Sequence, residues 1–118
     1  EHDEGRENMR RLLQARPRPT AVFACNDATA LHALNAVYEK GLGVPDDVSL
    51  IGFDDSRCAV EAWPHLSTMR IDARRLGRTA ARALFARMDR ADAPAVAETI
   101  PASLVIRGTT GMAKDFLR

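Results

Sequence analysis

Two short apolar runs without polar alternation constrain the fold of this 118-residue chain more than any other feature. They are Thr20–Cys25 and Val48–Phe53, and residues that favour turns precede each of them. Continuous apolar runs of this length are typical of parallel strands that are covered on both faces. The sequence therefore predicts an α/β protein with a parallel sheet at its centre.

The segment between the two runs has the apolar periodicity of an α-helix, from Ala28 to Lys40. Asp27 is a candidate N-cap, because its side-chain oxygens can accept hydrogen bonds from the free backbone N–H groups at a helix start. Gly41 is a candidate for the left-handed residue that ends many helices. Strand, helix and strand fit within residues 20–53, which is the length of one right-handed βαβ unit.

A further helix is predicted before the first strand, over Gly5–Ala15. Its apolar side chains Met9, Leu12 and Leu13 are expected to face the core. The first half of the chain therefore has the order helix, strand, helix, strand, as in proteins that are built on a parallel sheet.

The second half continues with a strand over Leu66–Ile71 and a long helix over Ala73–Asp89. Asp72 is the candidate N-cap of this helix. Its apolar stripe consists of Leu76, Ala80, Ala83, Leu84 and Met88.

Two short strands are predicted after the long helix. They are Glu98–Ile100 and Ser103–Arg107, with Pro101 between them. The residues after Gly108 are expected to be loosely ordered.

The charge of the chain is nearly balanced. Lysine and arginine together number 17 and the acidic residues 16, so the formal net charge is +1. A dedicated nucleic-acid surface usually needs a clear excess of basic charge, so we interpret Arg74, Arg78 and Arg82 on the long helix as a solvated face. No apolar run approaches the ~18–20 residues that span a bilayer. We expect a soluble, cytoplasmic protein without a membrane partner.

Motifs for catalysis, metal binding and cofactor binding are missing from the sequence. The two cysteines and three histidines lack the spacing of a zinc site. There is no glycine-rich phosphate loop, no dinucleotide-binding fingerprint and no nucleophile elbow. We therefore expect no catalytic residues, no metal and no cofactor, which counts against the alternative of a small enzyme.

Polar side chains directly follow both predicted strands of the βαβ unit. Asn26 comes after the first strand and Asp54 after the second. Ligands of open parallel sheets bind outside the carboxyl ends of the strands, where an amide and a carboxylate offer donors and strong acceptors. These residues are therefore candidate contacts for a polar or polyhydroxylated small molecule. The alternative is that Asn26 only caps a helix and Asp54 only begins a loop.

The single tryptophan, Trp63, has two interpretations. An aromatic face can stack on a sugar ring or a base, which makes Trp63 a candidate ligand contact. A tryptophan beside a proline, here Pro64, more often packs at the rim of a core or in a subunit interface.

Five ordered motifs resemble the LacI/GalR family of bacterial transcriptional regulators. The likeness extends from about Gly5 to Thr110. The motifs are Pro19–Asp27, Gly41–Asp55, Leu66–Ile71, Leu76–Arg82 and Leu104–Thr110.

The resemblance implies a three-layer, Rossmann-like subdomain of the type I periplasmic binding protein-like fold. It places residues 1–118 in the C-terminal part of the effector-binding and dimerisation domain. The helix-turn-helix DNA-binding domain and the N-terminal subdomain are then outside this chain. Asn26 and Asp54 match the family's effector-binding asparagine and aspartate, whereas Ile71 and Ala73 depart from the pattern of sugar-binding members.

The resemblance also implies a homodimer. It places the interface on the helix that starts near Ala28 and on residues 56–63, with Leu31, Tyr38 and Trp63 as candidate contacts. The alternative for these three side chains is ordinary core packing.

The function that the resemblance implies is effector sensing by a transcriptional regulator. The effector would be a sugar or a related metabolite, and operator DNA would be bound only through the absent N-terminal domain. The alternative is a secreted solute-binding protein of the same fold that feeds a transporter.

Overall fold

The computed structural model describes residues 4–90, 92, 94–95 and 97–113. The chain divides into two compact units. The first unit comprises Glu1–Arg70 and Leu104–Arg118, and the second comprises Ile71–Ser103. The chain therefore leaves the first unit after Arg70 and returns to it at Leu104.

The described residues contain four helices and four strands. The helices are α1 (Glu4–Gln14), α2 (Asp27–Glu39), α3 (Arg57–Glu61) and α4 (Ala73–Asp89). The strands are β1 (Ala21–Phe23), β2 (Ser49–Phe53), β3 (Ser67–Arg70) and β4 (Ser103–Val105). They form one sheet in the order β1-β2-β3-β4, in which β2 pairs in parallel with both β1 and β3. The predicted α/β fold with a parallel sheet is confirmed.

The core of the first unit lies between helices α1 and α2 and one face of the sheet. Leu50 of β2 faces the helices and is fully buried, and Val37 of α2 is equally buried. Met9 and Leu13 of α1 also enter the core, as predicted, but Leu12 is 42% exposed. The prediction for Leu12 was wrong because this residue stands at the margin of the apolar stripe.

The opposite face of the sheet carries exposed apolar side chains. Phe23 is 60% exposed, Leu104 54% and Ile106 63%. Helices of the first unit therefore cover one face of the sheet within the described residues.

Helix α2 begins one residue earlier than predicted. Asn26 is its N-cap, since the side-chain Oδ1 accepts a hydrogen bond from the backbone N–H of Thr29 at 2.8 Å. Asp27, the predicted cap, is the first helical residue and its carboxylate is used elsewhere. Gly41 follows the helix with φ of 68°, which confirms its predicted left-handed conformation.

The end of the chain differs from the prediction. Residues 98–100 do not form a strand, and β4 ends at Val105 rather than Arg107. Only Thr99 and Ile100 of this segment have side chains that favour strands, and Pro101, which lacks a backbone N–H, follows directly. The residues after Gly108 are not loosely ordered where the structure describes them, because Thr109 is fully buried. Its Oγ1 accepts from the backbone N–H of Ser67 at 2.8 Å and donates to the carbonyl of Leu50 at 2.7 Å.

The second unit consists mainly of helix α4. Asp72 caps it as predicted, with Oδ1 accepting from the backbone N–H of Arg75 at 2.9 Å. None of its side chains is buried, and Leu84 and Met88 of the apolar stripe are 60% and 70% exposed. Among the described residues, no helix is long and apolar enough to cross a membrane.

Candidate functional site

The two candidate ligand residues lie at the same level of the sheet. Phe23 of β1 pairs with Ile51 of β2, and the parallel pairing continues as Ala24 donates its backbone N–H to the carbonyl of Ile51 at 2.8 Å. Asn26 stands three residues beyond Phe23, and Asp54 stands three residues beyond Ile51. The carboxyl edge of the sheet therefore brings an amide and a carboxylate to one side, as predicted.

Asp54 presents a free carboxylate. The residue is exposed, and within the described part of the chain its carboxylate has no hydrogen bond or ion pair. Its backbone N–H is fixed by the carbonyl of Met69 at 2.8 Å, and its φ is 107°, a conformation that is rare outside glycine. An unpaired carboxylate on a strained, anchored backbone is typical of a functional site.

Asn26 caps helix α2 with its side-chain oxygen and leaves its side-chain NH2 group unused. One lone pair of Oδ1 caps helix α2, so the capping interpretation is confirmed. The residue is half-buried, and its Nδ2 group makes no hydrogen bond to the described residues. Two donors therefore remain for a ligand, and the cap fixes their orientation.

Asp27 is the residue that sequence reasoning missed. It is 1% exposed, and Oδ1 accepts from the hydroxyl of Thr68 at 2.5 Å. Oδ2 accepts from the backbone N–H of Ser56 at 2.7 Å and from its hydroxyl at 2.9 Å. One buried carboxylate thus joins the start of α2 to the segments beyond β2 and within β3. A side chain on Gly52 would collide with Asp27, so β2 requires glycine there.

Asp55 is held by two arginines. Its side chain is 11% exposed, and its oxygens accept from Nε of Arg70 and Nη2 of Arg107, each at 2.5 Å. Burial raises the pKa of the Asp55 carboxyl, but the hydrogen bonds and positive charges of Arg107 and Arg70 outweigh it. The net result is a pKa below the ordinary value for aspartate.

The lowered pKa of Asp55 predicts a pH-dependent contribution to stability. The contribution is complete above the unfolded-state value of about 3.9 and disappears as the pH falls through the lower folded-state value. We expect Asp55→Asn to lower the free energy of unfolding by about 2 kcal/mol at neutral pH, because it removes the negative charge of both ion pairs and one of the two acceptor oxygens. The difference from wild type should shrink below pH ~4. Urea titrations across this pH range measure the difference in unfolding free energy. Glu61→Gln, which removes the exposed ion pair with Arg57, is the control. A difference that does not depend on pH would contradict the lowered pKa of Asp55.

The three candidate interface residues have different environments. Trp63 is 82% exposed and meets the ring of His65 edge-to-face at 5.4 Å between centroids. Tyr38 is 42% exposed, whereas Leu31 is partly buried against the core. Core packing is therefore wrong for Trp63, which remains available for a ligand or a partner. Segment 56–63, which was not predicted to be helical, contains the short helix α3.

Metal binding finds no support in the described residues. No group of three or more histidine, cysteine, aspartate or glutamate side chains is placed there to hold an ion. Cys25 and Cys58 are free thiols. The polar edge of the sheet instead offers hydrogen bonds and one negative charge.

Comparison with protein families decides the classification. Residues 1–110 match the family described as periplasmic binding protein-like domain. The chain belongs to this family, in the form found in LacI-type regulators. This confirms the resemblance and the fold class.

The related proteins are transcriptional repressors and regulators. The HTH-type transcriptional repressor PurR of Mannheimia succiniciproducens is 46% identical over 107 residues, which are 91% of this chain and 32% of the repressor. The structure of the transcriptional regulator CelR–cellobiose complex matches with a TM-score of 0.84 and 33% identity, covering 92% of this chain and 33% of CelR. The Lac repressor dimer bound to operator and the anti-inducer ONPF matches with a TM-score of 0.77 and 34% identity, covering 90% and 37%.

The LacI-type chain described here therefore spans about a third of the length of these relatives. The relatives are regulators rather than enzymes.

Proposed function

We propose that this chain is the effector-sensing and dimerisation segment of a bacterial transcriptional repressor. The observation that carries the proposal is the exposed, unpaired carboxylate of Asp54 at the carboxyl edge of the sheet, level with Asn26. The segment belongs to the C-terminal part of the effector-binding domain. A helix-turn-helix domain outside this chain would bind operator DNA.

The chemistry of the edge supports a polyhydroxylated effector. A carboxylate accepts hydrogen bonds from two hydroxyl groups at once, and the free Nδ2 of Asn26 donates to a hydroxyl or ring oxygen. The related CelR was solved with cellobiose. We infer a sugar or a related metabolite, with Asp54 and Asn26 as its contacts on this side and the exposed Trp63 as a further candidate contact.

In the proposed function the protein acts as a homodimer in the cytoplasm. The related Lac repressor was solved as a dimer on its operator. Exposed Tyr38 and Trp63, with the partly buried Leu31, offer aromatic and aliphatic surface on α2 and next to α3 for an isologous interface. The relatives include transcriptional repressors, which favours this function over that of a transport receptor.

The decisive experiment uses the full-length protein and DNA from upstream of its own gene. Fluorescence anisotropy measures operator binding while mono- and disaccharides, sugar acids and nucleosides are added in turn. We expect a specific complex whose affinity changes saturably with one polyhydroxylated compound. Absence of specific DNA binding, together with ligand binding to a secreted form, would show a transport receptor instead.

A further inference from the structure

The carboxylate of Asp55 connects the ligand side of the sheet to the two segments of the first unit that precede and follow the second unit in the chain. Arg70 is the last residue before the chain enters that unit, and Arg107 lies three residues after its return at Leu104. Asp55 accepts from each of these arginines at 2.5 Å, and it directly follows Asp54 in the chain. The side chain of Asp55 thus holds both connecting segments, which contain Arg70 and Arg107, next to the free carboxylate of Asp54.

The backbone at this point needs such restraint. Asp54 and Asp55 have φ values of 107° and 53°, and neither residue is glycine. Non-glycine residues persist in this region only where surrounding contacts impose it. Two backbone hydrogen bonds add to the two ion pairs. The N–H of Asp54 donates to the carbonyl of Met69 at 2.8 Å, and the N–H of Asp55 donates to Oγ1 of Thr68 at 3.4 Å. The second of these is long, so the arginine pairs are the strongest restraint on Asp55.

Arg70 pairs with Asp55 although it stands beside Asp54. In parallel register Phe53 faces Met69, so Arg70 stands level with Asp54 at the end of the neighbouring strand. Its Nε nevertheless bonds Asp55, and 57% of its side chain is exposed. The cation beside Asp54 is thus paired with Asp55, and the Asp54 carboxylate has no ion pair within the described residues.

We propose that Asp55 is the positioning residue of this site: it fixes the Asp54 carboxylate in its exposed orientation and joins it to both connections of the second unit. The proposal rests on the proposed function, in which Asp54 binds the effector. Binding at Asp54 then acts on the residues that enter and leave the second unit through Arg70 and Arg107. An effector shifts a conformational equilibrium only by its different affinity for the two states, and this link supplies a structural origin for such a difference.

Hydrogen–deuterium exchange on the full-length protein tests the link without any ligand. Asp55→Asn removes the charge but retains a residue that readily adopts positive φ, so it separates the ion pairs from the backbone preference. We expect amides of residues 54–56, 68–71 and 105–108 to exchange about tenfold faster, as expected for lost charge-assisted hydrogen bonds. At short labelling times, at which local opening rather than global unfolding governs exchange, helix α2 should change much less, and Glu61→Gln should change neither region.

The pattern of exchange distinguishes positioning from general stabilisation. A uniform acceleration that includes α2, or no acceleration at residues 54–56, would overturn the proposal. Where a panel compound releases the wild-type protein from its operator, Asp55→Asn should need about tenfold more of it, measured relative to the DNA affinity of each protein without the compound. An unaltered titration would also overturn the positioning role. Failure of every panel compound would weaken only the proposed function, because the exchange result stands independently.

Discussion

Replacing Asp27 by alanine is expected to lower the free energy of unfolding by about 4 kcal/mol. The carboxylate is 1% exposed and accepts three hydrogen bonds, from the hydroxyl of Thr68 and from the backbone N–H and hydroxyl of Ser56. Alanine would leave these donors buried without an acceptor, which costs more than the loss of the bonds themselves. It would also remove the negative charge from the first turn of α2, where the helix dipole favours it.

Urea-induced unfolding of the full-length protein measures this effect. Asp72→Ala is the matched control, because Asp72 also lies at a helix N-terminus but is exposed, and its loss should cost only about 1 kcal/mol. Asp27→Asn should fall between the two. Its side-chain oxygen remains an acceptor, but its NH2 group replaces the other oxygen and faces a hydrogen-bond donor. A loss for Asp27→Ala no larger than for the control would show that the buried carboxylate does not hold the strand ends together.

Local sequence signals were enough to select the candidate site. The apolar runs located β1 and β2, and the rule for parallel sheets then selected Asn26 and Asp54 without any tertiary information. The cap at Asp72 and the left-handed Gly41 were confirmed for the same reason, because capping depends on a few neighbouring residues.

Long-range contacts account for what the sequence did not predict. Asp27 has partners 29 and 41 residues away, so its local pattern suggested only a cap. Thr109 bonds residues 42 and 59 positions distant, and a short polar segment near the end of the chain suggested disorder. Asp55 depends on Arg107 at a separation of 52 residues. Gly52 was a sequence signal for this close packing, because a glycine inside an apolar strand often marks the close approach of another group. That group is Asp27.

Periodicity also identified a face of α4 without showing what covers it. The stripe of Leu84 and Met88 has helical spacing, as predicted, yet both side chains are exposed. The spacing of apolar residues indicates which side of a helix they share, but it carries no information about the partner of that side. The burial or exposure of these side chains could therefore not be predicted from the sequence of this segment alone.

Under the proposed function, Asp54→Asn in the full-length protein is expected to weaken the effector response by about 100-fold while operator affinity without effector is retained. The substitution keeps the size of the side chain but removes the charge of an acceptor, and loss of a charged hydrogen-bond partner costs about 3 kcal/mol. The carboxylate has no hydrogen bond or ion pair with the described residues, so folding should not depend on it. Operator release measured by anisotropy, with the compound that releases the wild type, gives the ratio of the half-effective concentrations.

Asp54→Gly separates binding from folding at the same position. Glycine adopts φ of 107° without strain, so this variant should be more stable than wild type by about 1 kcal/mol and yet fail to respond to the effector. Such a pair of results would show that the protein retains a strained aspartate for binding rather than for stability. A normal response from both variants would remove Asp54 from the effector site, and a large loss of stability in Asp54→Gly would show that its carboxylate supports the fold.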